Sequence, residues 1–268
     1  MTKLALRALS ALLLIAAAAL PALAAPPVPE TLTYRLTWHG MEVGSSTIET
    51  KRTDSGLEIV SKVASAAWSA PFYKVEDVET SKLKKAGDGF ALGSYRMHLQ
   101  EGSNHWQRAV SINPATGKVQ HVDLLTFEKH AYPFAGQAWD PVSSMFHLRR
   151  LPLAVGKPVE ITVIDRQGPK KIRVEVLRKE SVTVPAGTFR TLVVSPQMNI
   201  SSEGLFYAHG PLTVWLTDDD RKVPVVIEKR IQGLFNQGIP AWLQPFIPDS
   251  VKADIPVLET VRAELVRQ

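Results

Sequence analysis

Thr31-Leu32-Thr33-Tyr34-Arg35-Leu36-Thr37-Trp38 alternates polar and apolar residues without a break. Successive side chains of an extended chain point to opposite faces, so Leu32, Tyr34, Leu36 and Trp38 share one face of a half-buried strand. The same period returns along the chain. Leu57, Ile59 and Val63 fall on one side, and Tyr95, Met97 and Leu99 alternate with Arg96, His98 and Gln100. The loop Glu101-Gly102-Ser103-Asn104 leads to Trp106, Val110 and Ile112, and Asn113-Pro114-Ala115-Thr116-Gly117 closes that hairpin. Val159 to Val163 alternates, as do Ile172, Val174 and Val176 against Lys171, Arg173 and Glu175. Further strands surround Leu192–Val194, Val214–Leu216 and Val223–Ile227. His39-Gly40 and Asp54-Ser55-Gly56 supply turns, through positive φ at glycine and local side-chain hydrogen bonds. No βαβ alternation appears, which argues against a parallel α/β fold. The pattern predicts a mainly β fold: a large curved antiparallel sheet, half-barrel or barrel-like, packed on one short helix.

That helix is signposted by Asp140-Pro141-Val142-Ser143, an Asp N-cap with proline at the first helical position, where a missing N–H costs nothing. Val142, Met145, Phe146 and Arg149 share a face, Arg149 and Arg150 complement the dipole in the last turn, and Pro152 is expected to end the helix. Residues 256–267 are ambiguous. Leu258, Val261 and Leu265 fit a helical face, while Val261, Ala263 and Leu265 fit a strand.

Lys3 and Arg7 precede an apolar run from Ala8 to Leu20, broken by Pro21 and followed by Ala22-Leu23-Ala24. A charged start, a short apolar stretch and an A-x-A site describe a secretory signal peptide. The run is shorter than the ~20 residues of a comfortable bilayer crossing. Cleavage near Ala24 is expected, leaving residues 25–268 as one β-rich domain in the periplasm, or secreted. The formal charge of +5 loses Lys3 and Arg7 and falls to +3, too small to indicate a nucleic-acid partner. A 45% hydrophobic composition suffices for a sizeable core. The absence of cysteine excludes disulfides, lipid acylation at cysteine, thiol catalysis and cysteine-bound metal.

The residues offer no recognisable chemistry. The seven histidines (His39, His98, His105, His121, His130, His147 and His209) form neither H-E-x-x-H nor H-x-H, so neither a metal site nor a cofactor is expected. His98 and Gln100, with His105 and Gln107 across their turn, make the best polar cluster, which a solvent-facing hairpin explains equally well. There is no G-x-S-x-G elbow. Asp218-Asp219-Asp220 lacks the distal glutamate of a calcium loop and reads as a hairpin turn. Val184-Pro185-Ala186-Gly187 likewise shapes a turn. Lys84/Lys85, Arg149/Arg150, Lys170/Lys171 and Arg221/Lys222 are dispersed pairs that read as solvated, with no catalytic residue among them.

Three stretches carry a resemblance: Asp140-Pro141-Val142-Ser143 through Leu151-Pro152-Leu153 and Gly156; Val184-Pro185-Ala186-Gly187-Thr188-Phe189 with Thr191; and Trp215-Leu216-Thr217-Asp218-Asp219-Asp220-Arg221-Lys222-Val223-Pro224-Val225. Together with the Tyr34 strand and the ending Arg262–Val266, they resemble the bacterial exported family called domain of unknown function 3108. The resemblance implies an exported β-rich domain and brings no catalytic residues.

The chain departs from that family at about residues 233–256, an apolar, proline-broken insertion. It holds Phe235, Trp242 and Phe246, the candidate ligand-binding residues. The insertion reads as a lid or contact patch, or as a plug that is simply core. Two function classes follow. One is a non-catalytic periplasmic binding or carrier protein for an apolar or lipid-like ligand, held in the concave interior of the sheet. The other is a structural or interaction module of envelope assembly that meets a protein partner.

Overall fold

The computed structural model describes residues 26–87, 89–113, 115–197, 210–232 and 258–268. They form one antiparallel sheet of 14 strands that does not close on itself, with one α-helix. Strands β1 (Glu30–Trp38), β2 (Met41–Thr53), β3 (Gly56–Ser65), β4 (Glu76–Ala86), β5 (Gly89–Glu101), β6 (Asn104–Asn113), β7 (Lys118–Asp123) and β8 (Lys129–Pro133) pair in sequence order. After helix α1 (Pro141–Leu148), a second series repeats the pattern: β9 (Val159–Asp165), β10 (Gly168–Val184), β11 (Gly187–Pro196), β12 (Leu212–Thr217), β13 (Pro224–Gln232) and β14 (Leu258–Arg267). β14 then pairs with β1 and joins the two series in mid-sheet.

The two-residue period decides which side chains turn inward. Leu32, Tyr34 and Leu36 are buried on β1, as are Tyr95, Met97 and Leu99 on β5 and Ile172, Val174 and Val176 on β10. The ambiguous C-terminal segment is a strand, with Val261, Ala263 and Leu265 buried on alternate positions. Three contiguous apolar clusters fill the described interior. One lies under β3 to β7 around Leu57, Tyr95 and Trp139, a second around Tyr34 and Trp215, and a third around Val174 and Leu216.

Helix α1 packs against β3, β4 and β9, so the sheet curls over it. Its start follows the expected chemistry. The Asp140 carboxylate accepts from the Val142 and Ser143 N–H groups, and the Ser143 hydroxyl accepts from the Asp140 N–H in a reciprocal capping box. The Ser81 hydroxyl of β4 also donates to Asp140, anchoring the cap to the sheet. Two expectations fail at the other end. The helix stops at Leu148 with Arg149 as C-cap, before Pro152 is reached. Arg149 is not solvated either, because its guanidinium leaves the helix end to meet a buried carboxylate. Arg149 Nη1 and Nη2 donate to the two Glu30 oxygens at 2.6 and 2.8 Å, and both side chains are only 4% exposed. Nε donates to the Arg221 carbonyl. Lys222 is buried as well, so two of the four basic pairs are not simply a solvated surface.

The free edges of the sheet, β8 and β9, approach one another. Trp139 bridges to Val163 in parallel, its N–H reaching the Thr162 carbonyl while Ile164 N–H reaches its own. The Tyr132 hydroxyl donates to the Arg166 carbonyl across the seam at 3.1 Å. Gly168, at φ +107°, lies so close that a Cβ there would sit 3.0 Å from the Tyr132 ring. Trp139 thus covers part of the β9 edge, while β8 meets the other edge only through the side chain of Tyr132 among these contacts.

Candidate functional site

Antiparallel pairing sends every second connection to the same end of the sheet. The β1–β2, β3–β4, β5–β6 and β7–β8 turns therefore share one rim, about 10 Å apart in hairpin order. This rim carries an apolar load that surface turns rarely have. In the β3–β4 loop, Trp68 and Phe72 are 53% and 52% exposed, and Tyr73 stands beside them. Met41 is exposed in the neighbouring turn, and Leu125 and Phe127 in the β7–β8 turn, where Phe127 is 75% exposed at positive φ.

The loop that holds the aromatics is firmly built. Trp68 Nε1 donates to the Glu42 carbonyl at 3.0 Å, and the Ser69 hydroxyl to the Val43 carbonyl at 2.7 Å. Ser65 Oγ donates to the Tyr73 carbonyl and accepts from Val75 N–H. On the other side, Gly102 N–H donates to the Lys74 carbonyl, and the Tyr73 ring lies over Gly102, where a Cβ would sit at 2.9 Å. The rings are thus presented on a braced platform, which lowers the backbone ordering cost on contact.

Acidic residues lie beneath the platform. Asp77, at the start of β4, and Glu101, at the end of β5, are both buried and hydrogen-bond each other. Burial first, and the Glu101 charge second, push the Asp77 carboxyl up to about 8, against the opposing hydrogen bond from Gln100 N–H. At neutral pH the pair therefore shares a proton. Burial, then Glu101 and Asp77, also push the Tyr73 phenol up to about 12. The Tyr95 hydroxyl donates to Glu79 nearby.

The residues singled out from the sequence fare unevenly. Phe235, Trp242 and Phe246, with the whole 233–256 insertion, lie outside the described residues, as do His209 and residues 1–24. His98 faces Gln107 and Gln100 faces His105, so that cluster does assemble, on the outer side of the hairpin with both histidines exposed. Asp219 accepts from Thr217 Oγ1 and from Arg221 and Lys222 N–H, the work of a turn residue. Among the described residues no three His, Cys, Asp or Glu side chains gather as metal ligands. No helix among them is long and apolar enough to cross a membrane.

Sequence reasoning passed over the rim, although Ala66-Ala67-Trp68-Ser69-Ala70-Pro71-Phe72-Tyr73 carried its own signal. Three aromatics stand in a proline-containing stretch between two strands, where turn residues are ordinarily polar.

Comparison with known proteins places this architecture. A β-barrel-like protein of domain of unknown function DUF1849 from Brucella abortus is similar at a TM-score of 0.50 and 11% identity, over 91% of this chain and 98% of that one, a likeness of fold alone. A protein with a YmcC-like fold from Bacteroides fragilis aligns over 91% of this chain and 96% of its own, at 14% identity and a TM-score of 0.32. No curated protein matches. The family model for DUF3108, "Protein of unknown function", matches residues 33–233, from inside β1 to the end of β13. The chain therefore belongs to the DUF3108 family.

Proposed function

We propose that this is a non-catalytic binding protein of the cell envelope that engages an apolar or lipid-like surface through its aromatic rim. The observation that carries the reading is the group Trp68, Phe72 and Tyr73, exposed together on a braced loop. Tryptophan and tyrosine suit a boundary that is apolar on one side and wet on the other. Burying the exposed half of each ring is worth about 1 kcal/mol apiece, enough for reversible attachment. An internal carrier fits less well, because packed side chains occupy the described interior. The hollow beside Tyr95 and Ile164 inside the curl has room for about one water molecule.

The test is Trp68→Ser with Phe72→Ser. Flotation with phosphatidylglycerol–phosphatidylethanolamine vesicles should recover the parent protein and lose the variant. The urea midpoint should fall only slightly, since the rings are half exposed and the lost Trp68–Glu42 hydrogen bond is worth about 1 kcal/mol. A parent protein that ignores the vesicles sinks the lipid reading and leaves the rim to a protein partner, as in an envelope-assembly module. The envelope address rests on Lys3, Arg7, the apolar run and Ala22-Leu23-Ala24, which imply a single mature domain from about residue 25. N-terminal sequencing of protein released by osmotic shock checks it, and an intact Met1 in the membrane fraction would refute it.

A further inference from the structure

The seam between the two sheet edges holds a second site, below the β7–β8 turn and apart from the Trp68–Tyr73 loop. His121 turns inward from β7, is 6% exposed, and has no hydrogen-bond partner on either ring nitrogen among the described residues. A buried polar group left in this state costs about 1–3 kcal/mol unless something fills the gap. His121 lines two hollows. The inner one is bounded by Tyr95, Arg108, Ile164, Asp165 and Arg166, and the outer one by Gln120, Lys129 and His130. The outer hollow has a volume of about 180 Å³ and opens to solvent.

The charges around His121 come from every strand packed on it. β6 contributes Arg108, buried and opposite Asp123, and β8 contributes His130, directly across from His121. From the other edge come Asp165, Arg166 and Lys170. Asp165 is already engaged, by Lys170 Nζ at 2.8 Å and Gln167 N–H at 2.7 Å. Burial first, then the fields of Arg108, His130 and Arg166, outweigh Asp165 and hold the imidazole down to about 4. The neutral ring therefore keeps an N–H donor available in a surplus of positive charge, an environment that suits an anion and repels a metal cation.

We propose that the seam pocket binds a small oxyanion of the phosphate or carboxylate class, held by the His121 N–H within the cationic field of Arg108 and Arg166. The anion would tie β7 and β8 to the β9–β10 turn, where the described sheet lacks a backbone ladder between its two edges. The site shares no residue with the rim, so either can fail alone.

The experiment is histidine-side-chain NMR of the full chain, titrated with inorganic phosphate, with acetate, and with chloride at matched ionic strength. Saturable His121 shifts with phosphate or acetate are expected, together with a rise of at least one unit in the His121 pKa. Such a rise means at least tenfold tighter anion binding when the ring is protonated. The arm that saturates at the lower concentration identifies the class. His121→Phe should abolish saturable binding in calorimetry, and His121→Gln, which keeps a donor, should retain it several-fold weaker. An imidazole that stays near its anion-free value with both oxyanions, or that answers chloride equally, overturns the proposal and leaves ordered water in the pocket.

Discussion

Glu30 stands in phase with Leu32, Tyr34 and Leu36, so the alternation that identifies β1 also aims a carboxylate into the interior. Arg149 is what makes that tolerable, with two hydrogen bonds to Glu30 and a third to a backbone carbonyl. Breaking a buried pair from one side strands the other charge. Arg149→Met should therefore cost about 3–5 kcal/mol in a urea melt, and adding Glu30→Leu should recover much of the loss. A double variant no more stable than the single one would show that the pair does not act as a unit. Asp77 permits a sharper test. Its folded pKa lies above the unfolded value, so its contribution is fully present below about 4 and is lost as pH rises through about 8. Asp77→Asn lacks this dependence, and urea melts should show it gaining on the parent protein between pH 5 and pH 8. These residues show how much of the sites was legible. Glu30, Asp77, Arg108 and His121 all sit at inward-phase positions, so the sequence marks them as anomalies. Their partners, as much as 119 residues away for Arg149, follow only from the curl of the sheet.

At the scale of elements, turn chemistry and two-residue periodicity reveal nearly every strand, because each is dictated locally. The helix start was equally legible, since Asp140, Pro141 and Ser143 act within one turn. Its end was not, because a tertiary contact to Glu30 decides where Arg149 goes. The cap also has a long-range use. Asp140 accepts from Ser81 as well as from its own helix, and it is fully buried. Asp140→Ala should thus exceed the usual ~1 kcal/mol of a lost cap, because Ser81 and Ser143 lose a buried acceptor as well. Thermal melts should place it at about 2 kcal/mol or more, and Ser81→Ala should account for part of the difference. A loss no larger than that of an exposed cap would mean that the link to β4 contributes nothing. The β3–β4 loop escaped notice for the opposite reason. It obeys no period, and what distinguishes it is where its rings end up.

Across the described sheet, the consecutive strands β8 and β9 are left as the two edges, and every ladder joins strands that are neighbours in sequence except the union of β1 with β14. Pairings between neighbours close small loops and form quickly, whereas this one must bring together the two ends of the chain. Deleting residues 258–268 should leave two half-sheets that melt separately, and calorimetry should resolve two transitions in place of one. A single transition in the truncated chain would show that contacts through α1 suffice to couple the halves. Moving the break tests the same point. A permutant that joins residue 268 to residue 30 and opens the chain between β8 and α1 would read as one uninterrupted meander, and should refold faster than the parent. The natural order of strands also acts during synthesis. Until β14 has been made, β1 and β13 each present a bare inner edge. A nascent chain is therefore open to mispairing with its neighbours until its final strand arrives.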